Sequence, residues 1–499
     1  MNAPTIDWRG RAARTTFDGR AFIDGQRVNA IDEATFDTVS PIDGWFLTRV
    51  ARCQAADVDR AVAAARRAFA DRRWCGQAPA ERKKVLQRFA EGIDKHREQL
   101  ALLDTLDMGK PIRHALEVDI ALTVRCIAWY AEAIDKLYDE IAPTPATGLA
   151  LITREAMGVI GAIVPWNYPL VMAAWKLGPA LAAGNSVVLK PSEKSSLSAL
   201  RLAEIALEAG LPDGVFNVVP GYGHEAGEAL AMHMDVDAIG FTGSTRVARK
   251  MLAYAGRSTL KRVFNDLGGK SAFVVFDDFA NLERAATTAA GSIFFNQGES
   301  CNAPSRAIVH ESVADRFTEI VAAEAAKVQP ADPLDPATEM GAIVDEMQLQ
   351  TVLGHIEAGR AEGATLVAGG SRARQDTGGC YVEPTVFSDV DNRMRIAQEE
   401  IFGPVLSVIR FKTEDEAIAL ANDSRYGLQA SVWSDHLSRA HRVARALRAG
   451  TVHVNQYDED DITVPFGGYG QSGNGRDKSL HAFDKVTELK TTWLRIDAS

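Results

Sequence analysis

Short apolar runs alternate with longer amphipathic stretches along most of this chain. Over residues 57–138 the period is helical: Ala61, Val62, Ala65 and Phe69 share one face, and 80–96 repeats the spacing. The breaker-rich stretch 141–148 (Ile-Ala-Pro-Thr-Pro-Ala-Thr-Gly) reads as a connection. Beyond it the pattern predicts strands at 159–164, 186–189 and 215–219, with helices at 175–183 and 196–209 between them. A strand at 238–241, a helix at 246–255 and a strand at 262–264 follow. Strands separated by helices of this length imply a parallel α/β sheet with crossover connections. A second alternation begins at 272–276, passes a helix at 281–295, and continues through 307–309, a helix at 313–327 and 406–411. The boundary falls near Gly268-Gly269, where glycine's backbone freedom suits a hinge. The tail 487–496 alternates polar and apolar residues as a strand does.

At 499 residues the chain is long enough for two or three domains with ample core, and 46% hydrophobic with 24% charged residues is an ordinary globular balance. A net charge of -11, with no basic stripe, argues against a nucleic-acid partner. The cysteines are Cys53, Cys75, Cys126, Cys301 and Cys380; their scatter, odd number and lack of a Cys-x-x-Cys pair fit a reducing cytoplasm. No histidines cluster at metal-ligand spacing, so metal catalysis is not expected. The most apolar candidate span, 170–189, is broken by Lys176, Pro179 and Asn185, and no membrane partner is expected. At the N-terminus Arg9, Arg11 and Arg14 are interrupted by acids at Asp7 and Asp18, which reads as a short solvated arm.

Chemistry concentrates in three segments. Phe294-Phe295-Asn296-Gln297-Gly298-Glu299-Ser300-Cys301 places a thiol after a turn at a predicted helix end. Val164-Pro165-Trp166-Asn167-Tyr168-Pro169 supplies an amide donor, and Asn265-Asp266-Leu267-Gly268-Gly269-Lys270 a carboxylate. A nucleophile, an oxyanion donor and a base together suit acyl chemistry at a carbonyl carbon. Further motifs are Leu189-Lys190-Pro191-Ser192-Glu193, Phe241-Thr242-Gly243-Ser244-Thr245, Glu400-Ile401-Phe402-Gly403-Pro404 and Pro465-Phe466-Gly467-Gly468.

On these residues the chain resembles the aldehyde dehydrogenase superfamily over about 22–493, in the family's order and spacing. The resemblance implies an α/β fold: a Rossmann-type NAD-binding domain (1–140 and 160–268), a catalytic domain (269–480) and a small β oligomerisation module (141–159 and 481–499). It implies a homodimer or homotetramer and a small-molecule aldehyde substrate. Cys301 becomes the nucleophile that forms a thioester, and Asn167 with the Cys301 backbone N–H the oxyanion donors; losing one such donor costs about 2.7–4 kcal/mol of barrier. A free thiol of pKa about 8.5 is a few per cent thiolate at neutral pH, and a favourable site raises that fraction.

Two acids depart from the family pattern. Asp266 stands where relatives usually carry the glutamate that activates water, and is shorter by roughly 1.5 Å. Asp477 stands where many carry a second glutamate of the proton path. For the cofactor, Lys190, Ser192 and Glu193 follow a strand at the carboxyl end of the sheet. An acid there accepts hydrogen bonds from ribose hydroxyls and repels a 2′-phosphate, so NAD is preferred over NADP. By resemblance Gly223 and Gly227 lie near the adenine and Ser244 at the pyrophosphate, while Glu400 and Phe402 hold the nicotinamide ribose and ring. Ile163, Trp166, Phe241 and Leu267 complete that site.

Tyr168, Met172, Trp175 and Phe466 are expected to line an apolar substrate tunnel, with Ser300 and Asn302 flanking the thiol. Asp458-Glu459-Asp460-Asp461 puts acids beside its entrance, and Asp458 and Asp460 are the candidates to face a cationic substrate. Within the superfamily the segments 107–114, 129–136 and 470–480 most resemble γ-glutamyl-γ-aminobutyraldehyde and ω-aminoaldehyde dehydrogenases. Two other readings stand beside this one. Aspartate at 266 is compatible with acyl release to coenzyme A, and the same fold can serve as a non-catalytic NAD-binding or structural protein.

Overall fold

The computed structural model describes residues 6–458 and 461–497. Its first sheet is seven-stranded, ordered Arg262–Leu267, Ala238–Gly243, Val159–Ile163, Ser186–Lys190, Phe216–Val218, Ala21–Ile23 and Gln26–Val28. The first five run parallel. Numbered in chain order they read 5-4-1-2-3, so the strand order reverses beside Val159–Ile163. At such a switch point the flanking connections leave in opposite directions and open a crevice at the carboxyl ends of the strands. The antiparallel hairpin 21–28 extends the sheet on one side.

The second sheet runs Thr365–Ala368, Thr385–Ser388, Val405–Phe411, Arg306–His310, Ala272–Val275, Gln429–Trp433 and Thr451–Val454, parallel except for its first pair. Every residue of Ala272–Val275 and Gln429–Trp433 is buried, as strands covered on both faces must be. A third, antiparallel sheet joins Thr487–Arg495, Gly148–Ala156 and Glu140–Ala142.

Helix Pro169–Ala183 carries the local logic of the site. It is apolar except at Lys176, begins with proline at its first turn, and ends at Gly184, whose φ of 100° stops it. Its start, six residues before the predicted one, makes Tyr168 the residue before the first turn and sets Met172 and Trp175 within the helix.

One sequence expectation needs correction. Trp8–Arg14 is a helix capped by Asp7, with Trp8 and Ala12 buried, so the basic N-terminus is not a solvated arm. Gly268 and Gly269 join the two sheets without positive φ. Their lack of a side chain serves close approach: a Cβ on Gly268 would sit 2.0 Å from a Glu400 carboxylate oxygen, and one on Gly269 2.8 Å from the Cys301 carbonyl.

Candidate active site

Helix Leu282–Phe294 ends where Asn296, Gln297 and Gly298 take successive φ values of 49°, 57° and 71°. Two non-glycine residues in the left-handed region store strain, which surrounding contacts must hold. Gln297 accepts a hydrogen bond from Gly341 N at 3.1 Å, and Asn296 donates to the carbonyls of Asn167 and Glu299. A Cβ on Gly298 would lie 2.2 Å from Gly403, so this turn packs directly on the Glu400–Gly403 segment. The result is that Cys301 lines two cavities at once.

One cavity, of about 260 Å³, opens at the switch point and is lined by Trp166, Asn167, Ser244, Leu267, Glu400 and Phe402 among others. Ile163 lies across from Lys190 on one side and Phe241 on the other, and Leu267 pairs with Gly243. These four predicted cofactor residues therefore share the carboxyl end of adjacent strands. Ser244 caps the helix Thr245–Arg257, accepting from Val247 N. Thr242 contributes a buried hydroxyl with no hydrogen-bond partner, and it faces the same cleft. Phe402 (φ 58°) meets Trp166 edge-on, ring centres 5.2 Å apart. Lys190 donates to Glu193 at 3.1 Å; burial alone would raise the Glu193 carboxyl, but the Lys190 ammonium brings it below its ordinary range. Ser192 accepts from Lys194 N at 3.3 Å. Gly223 and Gly227 begin and end the helical segment after strand Phe216–Val218, outside the cavity that Cys301 lines. A crevice at the switch point, an acid at the end of the second strand and an unpartnered hydroxyl fit a dinucleotide.

The other cavity, of about 340 Å³, is lined by Tyr168, Met172, Trp175, Phe466, Cys301, Asn302 and Asp458. Val118, Leu122, Val171, Gly291, Ser292 and Phe295 complete it; sequence reasoning missed these, since core-type residues on helices carry no local mark of a tunnel. Tyr168 shares a 2.6 Å hydrogen bond with Ser300 and has the Lys110 ammonium 3.7 Å from its ring centre. Asp458 accepts from Asn302 at 2.6 Å and Gln429 at 3.3 Å. It keeps an exposed surface in the cleft, while removal from bulk water raises its carboxyl to about 6. Asp460 and Glu459 lie outside the described residues.

Asn167 is 3% exposed and donates its amide to the Glu299 carbonyl at 2.8 Å, leaving the second N–H for a ligand. The Cys301 thiol is held well above its ordinary pKa by burial, then by the charges of Asp266 and Glu400. This runs against the expectation of an enriched thiolate, because burial in the ligand-free protein opposes the charged form of Cys301. Asp266 is 1% exposed with neither oxygen hydrogen-bonded, and its carboxyl is raised to about 7 by burial and by Asp477. Asp477 is held down by two lysines, Lys176 and Lys485, which overcome its burial. Lys176 was detectable as the single charge in an all-apolar helix, since a buried charge there must be paired. Glu400 accepts from Gly269 N at 3.1 Å and is raised by burial to about 7.

Among the described residues no cluster of three or more metal-ligating side chains occurs, and no helix is long and apolar enough to cross a membrane.

The sequence profile of the aldehyde dehydrogenase family matches residues 28–492. The chain is 53% identical over 491 residues to the NADP/NAD-dependent aldehyde dehydrogenase PuuC of Escherichia coli K12, covering 98% of each. The γ-glutamyl-γ-aminobutyraldehyde dehydrogenase of Burkholderia cenocepacia superposes with a TM-score of 0.97 at 57% identity, over 98% of this chain and 99% of that one. The indole-3-acetaldehyde dehydrogenase AldA of P. syringae, solved with NAD+ and IAA, gives 0.97 at 58% over the same shares. With a strained cysteine turn, an amide donor and a buried carboxylate near one thiol beside the switch-point crevice, the chain belongs to the aldehyde dehydrogenase family and is an NAD-dependent aldehyde dehydrogenase.

Proposed function

We propose that this enzyme oxidises a linear aldehyde with an amino or γ-glutamylamino group at its far end, using NAD in preference to NADP and releasing the acid by hydrolysis. The observation that carries the substrate class is the Asp458 carboxylate in the wall of an otherwise mainly apolar tunnel. Apolar walls suit the methylene chain, and an acid that is ionised above pH 6 favours a cation or amide donor beside it. The relative named for γ-glutamyl-γ-aminobutyraldehyde supports the same class.

In this reading Cys301 Sγ bonds to the aldehyde carbon, and its proton passes to water in the cleft. Asn167 and the Cys301 N–H hold the developing alkoxide. NAD, when bound, accepts the hydride that leaves that carbon. Glu400, Phe402, Trp166 and Leu267 hold the nicotinamide end, and Lys190, Ser192, Glu193, Gly223, Gly227 and Ser244 the adenosine and pyrophosphate. Asp266 then takes a proton from water, whose oxygen displaces the Cys301 sulfur from the acyl carbon. The first sheet accordingly serves as the cofactor domain and the second as the catalytic domain. The third exposes Ile141, Leu489 and Trp493 at 60–70%, which suits burial in a homodimer or homotetramer. We assign the enzyme to the cytoplasm on its unpaired cysteines.

A second reading of the substrate rests on the aromatic wall of Tyr168, Trp175, Phe295 and Phe466, which also suits an arylacetaldehyde, and on the relative named for indole-3-acetaldehyde. Steady-state NADH formation with 4-(γ-glutamylamino)butanal, 4-aminobutanal, indole-3-acetaldehyde and hexanal, with and without coenzyme A, decides between them. The highest kcat/KM for either nitrogen-bearing aldehyde without coenzyme A supports the proposal. A higher value for indole-3-acetaldehyde or hexanal overturns it.

A further inference from the structure

Asp477 is a buried carboxylate with a lysine on each oxygen: Lys176 donates to Oδ2 and Lys485 to Oδ1. The three side chains are 4%, 10% and 1% exposed for Lys176, Lys485 and Asp477 respectively. Two cations on one anion leave a surplus positive charge, and a buried surplus is costly unless another anion faces it. Asp266 is that anion: the loop carrying Asp477 packs on its strand, with Gly473 bridged to Asp266 and Gly475 N donating to Asn265 O at 2.8 Å, so the charges of Asp477, Lys176 and Lys485 act on it. Its carboxyl is buried and unpartnered, and with both aspartates ionised and both lysines charged the set is neutral. The groups whose charges act on Asp266 come from several elements. Lys176 lies on helix Pro169–Ala183, and Lys485 on the helical turn Leu480–Lys485. Asp477, Arg476 and Lys478 lie on the preceding loop, and Cys301 on the catalytic turn. Lys176 and Lys485 also line a water-sized cavity of about 20 Å³ that Cys301 does not line, giving room for one water beside the pair.

We propose that Lys485 is a positioning residue for thioester hydrolysis: held by Asp477, it supplies the second cation that keeps Asp266 ionised and able to take a proton from water. In that step the water oxygen bonds to the acyl carbon, the carbon–sulfur bond breaks with its electron pair on Cys301 Sγ, and the water proton passes to Asp266. Hydride transfer is complete before this step and does not depend on Lys485. The inference rests on Asp266 being the hydrolytic base.

The test compares Lys485→Met, Lys485→Gln, Lys485→Arg and Asp266→Asn in the full-length enzyme. It reads the pre-steady-state NADH burst and the pH profile of kcat without coenzyme A. Removing a cation raises the Asp266 carboxyl, so the acid limb of kcat should move up by about one pH unit in Lys485→Met and Lys485→Gln. At pH 6 that is a loss of about tenfold. The burst should stay within about twofold of the parent, and Lys485→Arg should restore the limb. A limb that superimposes on the parent's in both Met and Gln variants, whatever the amplitude, overturns the proposal, because a merely structural lysine would lower amplitude alone. If Asp266→Asn turns over at the parent rate, the base reading itself has failed. If Asp266→Asn stalls after its burst while the Lys485 profiles are unchanged, only the role of Lys485 has failed.

Discussion

The side-chain amide of Asn167 donates to the backbone carbonyl of Glu299 at 2.8 Å, two residues before Cys301. The proposed oxyanion donor is thus tied to the turn that carries the proposed nucleophile, although one follows a strand of the first sheet and the other precedes a strand of the second. Asn167→Ala should lose about 10²–10³-fold in kcat, the cost of one donor at a developing alkoxide. The check is the rate of the NADH burst, which must fall along with kcat because the donor acts in the thiohemiacetal step.

Preference for a cationic aldehyde should depend on pH through Asp458. Its carboxyl is raised to about 6 by removal from water, so it is charged above that pH and neutral below. The ratio of kcat/KM for 4-aminobutanal over hexanal should fall as pH drops through 6. Asp458→Asn should give a low ratio at every pH, about tenfold below the parent at pH 8.

Glu193 is the acid at the end of the second strand, ionised and held by Lys190. Glu193→Ser should narrow the NAD-to-NADP ratio of kcat/KM by about tenfold or more, by removing both the ribose acceptor and the repulsion of a 2′-phosphate. Paired steady-state titrations with the two cofactors measure it.

Gly291 lies in helix Leu282–Phe294 and lines the tunnel, yet a Cβ there meets nothing within 4 Å. A helical glycine costs about 1 kcal/mol relative to alanine, so a glycine that no neighbour requires is best explained by the bore it preserves. Gly291→Phe should lower kcat/KM for 4-(γ-glutamylamino)butanal by about tenfold and leave propanal within about threefold.

The alternation of apolar runs carried most of the first sheet. The strand expected at 186–189 is Ser186–Lys190, because a continuous buried run with paired valines marks a covered strand, and that expected at 238–241 is Ala238–Gly243. Helix Trp8–Arg14 escaped notice, since seven residues are too few for a period to emerge. The cysteine turn was legible because Asn-Gln-Gly is turn chemistry, and those three residues take positive φ. The electrostatics of Cys301 were not legible. They depend first on burial and then on the charges of Asp266 and Glu400, all set by remote segments, which reverses the direction a lone thiol would suggest. Nor could Lys485 be found, because its partner Asp477 and their companion Lys176 meet only in the folded chain.

In the proposed reaction Cys301 carries the acyl group and Asp266 activates the water that removes it. Rapid mixing with NAD and 4-aminobutanal, without coenzyme A, tests both when NADH is followed optically and the protein by intact mass. The parent enzyme should pass through many turnovers. Asp266→Asn should stop after one equivalent of NADH, with the acyl mass retained on Cys301, and Cys301→Ala should give no NADH. Free turnover by Asp266→Asn, or a parent enzyme that stalls after one equivalent until coenzyme A is added, would contradict the account.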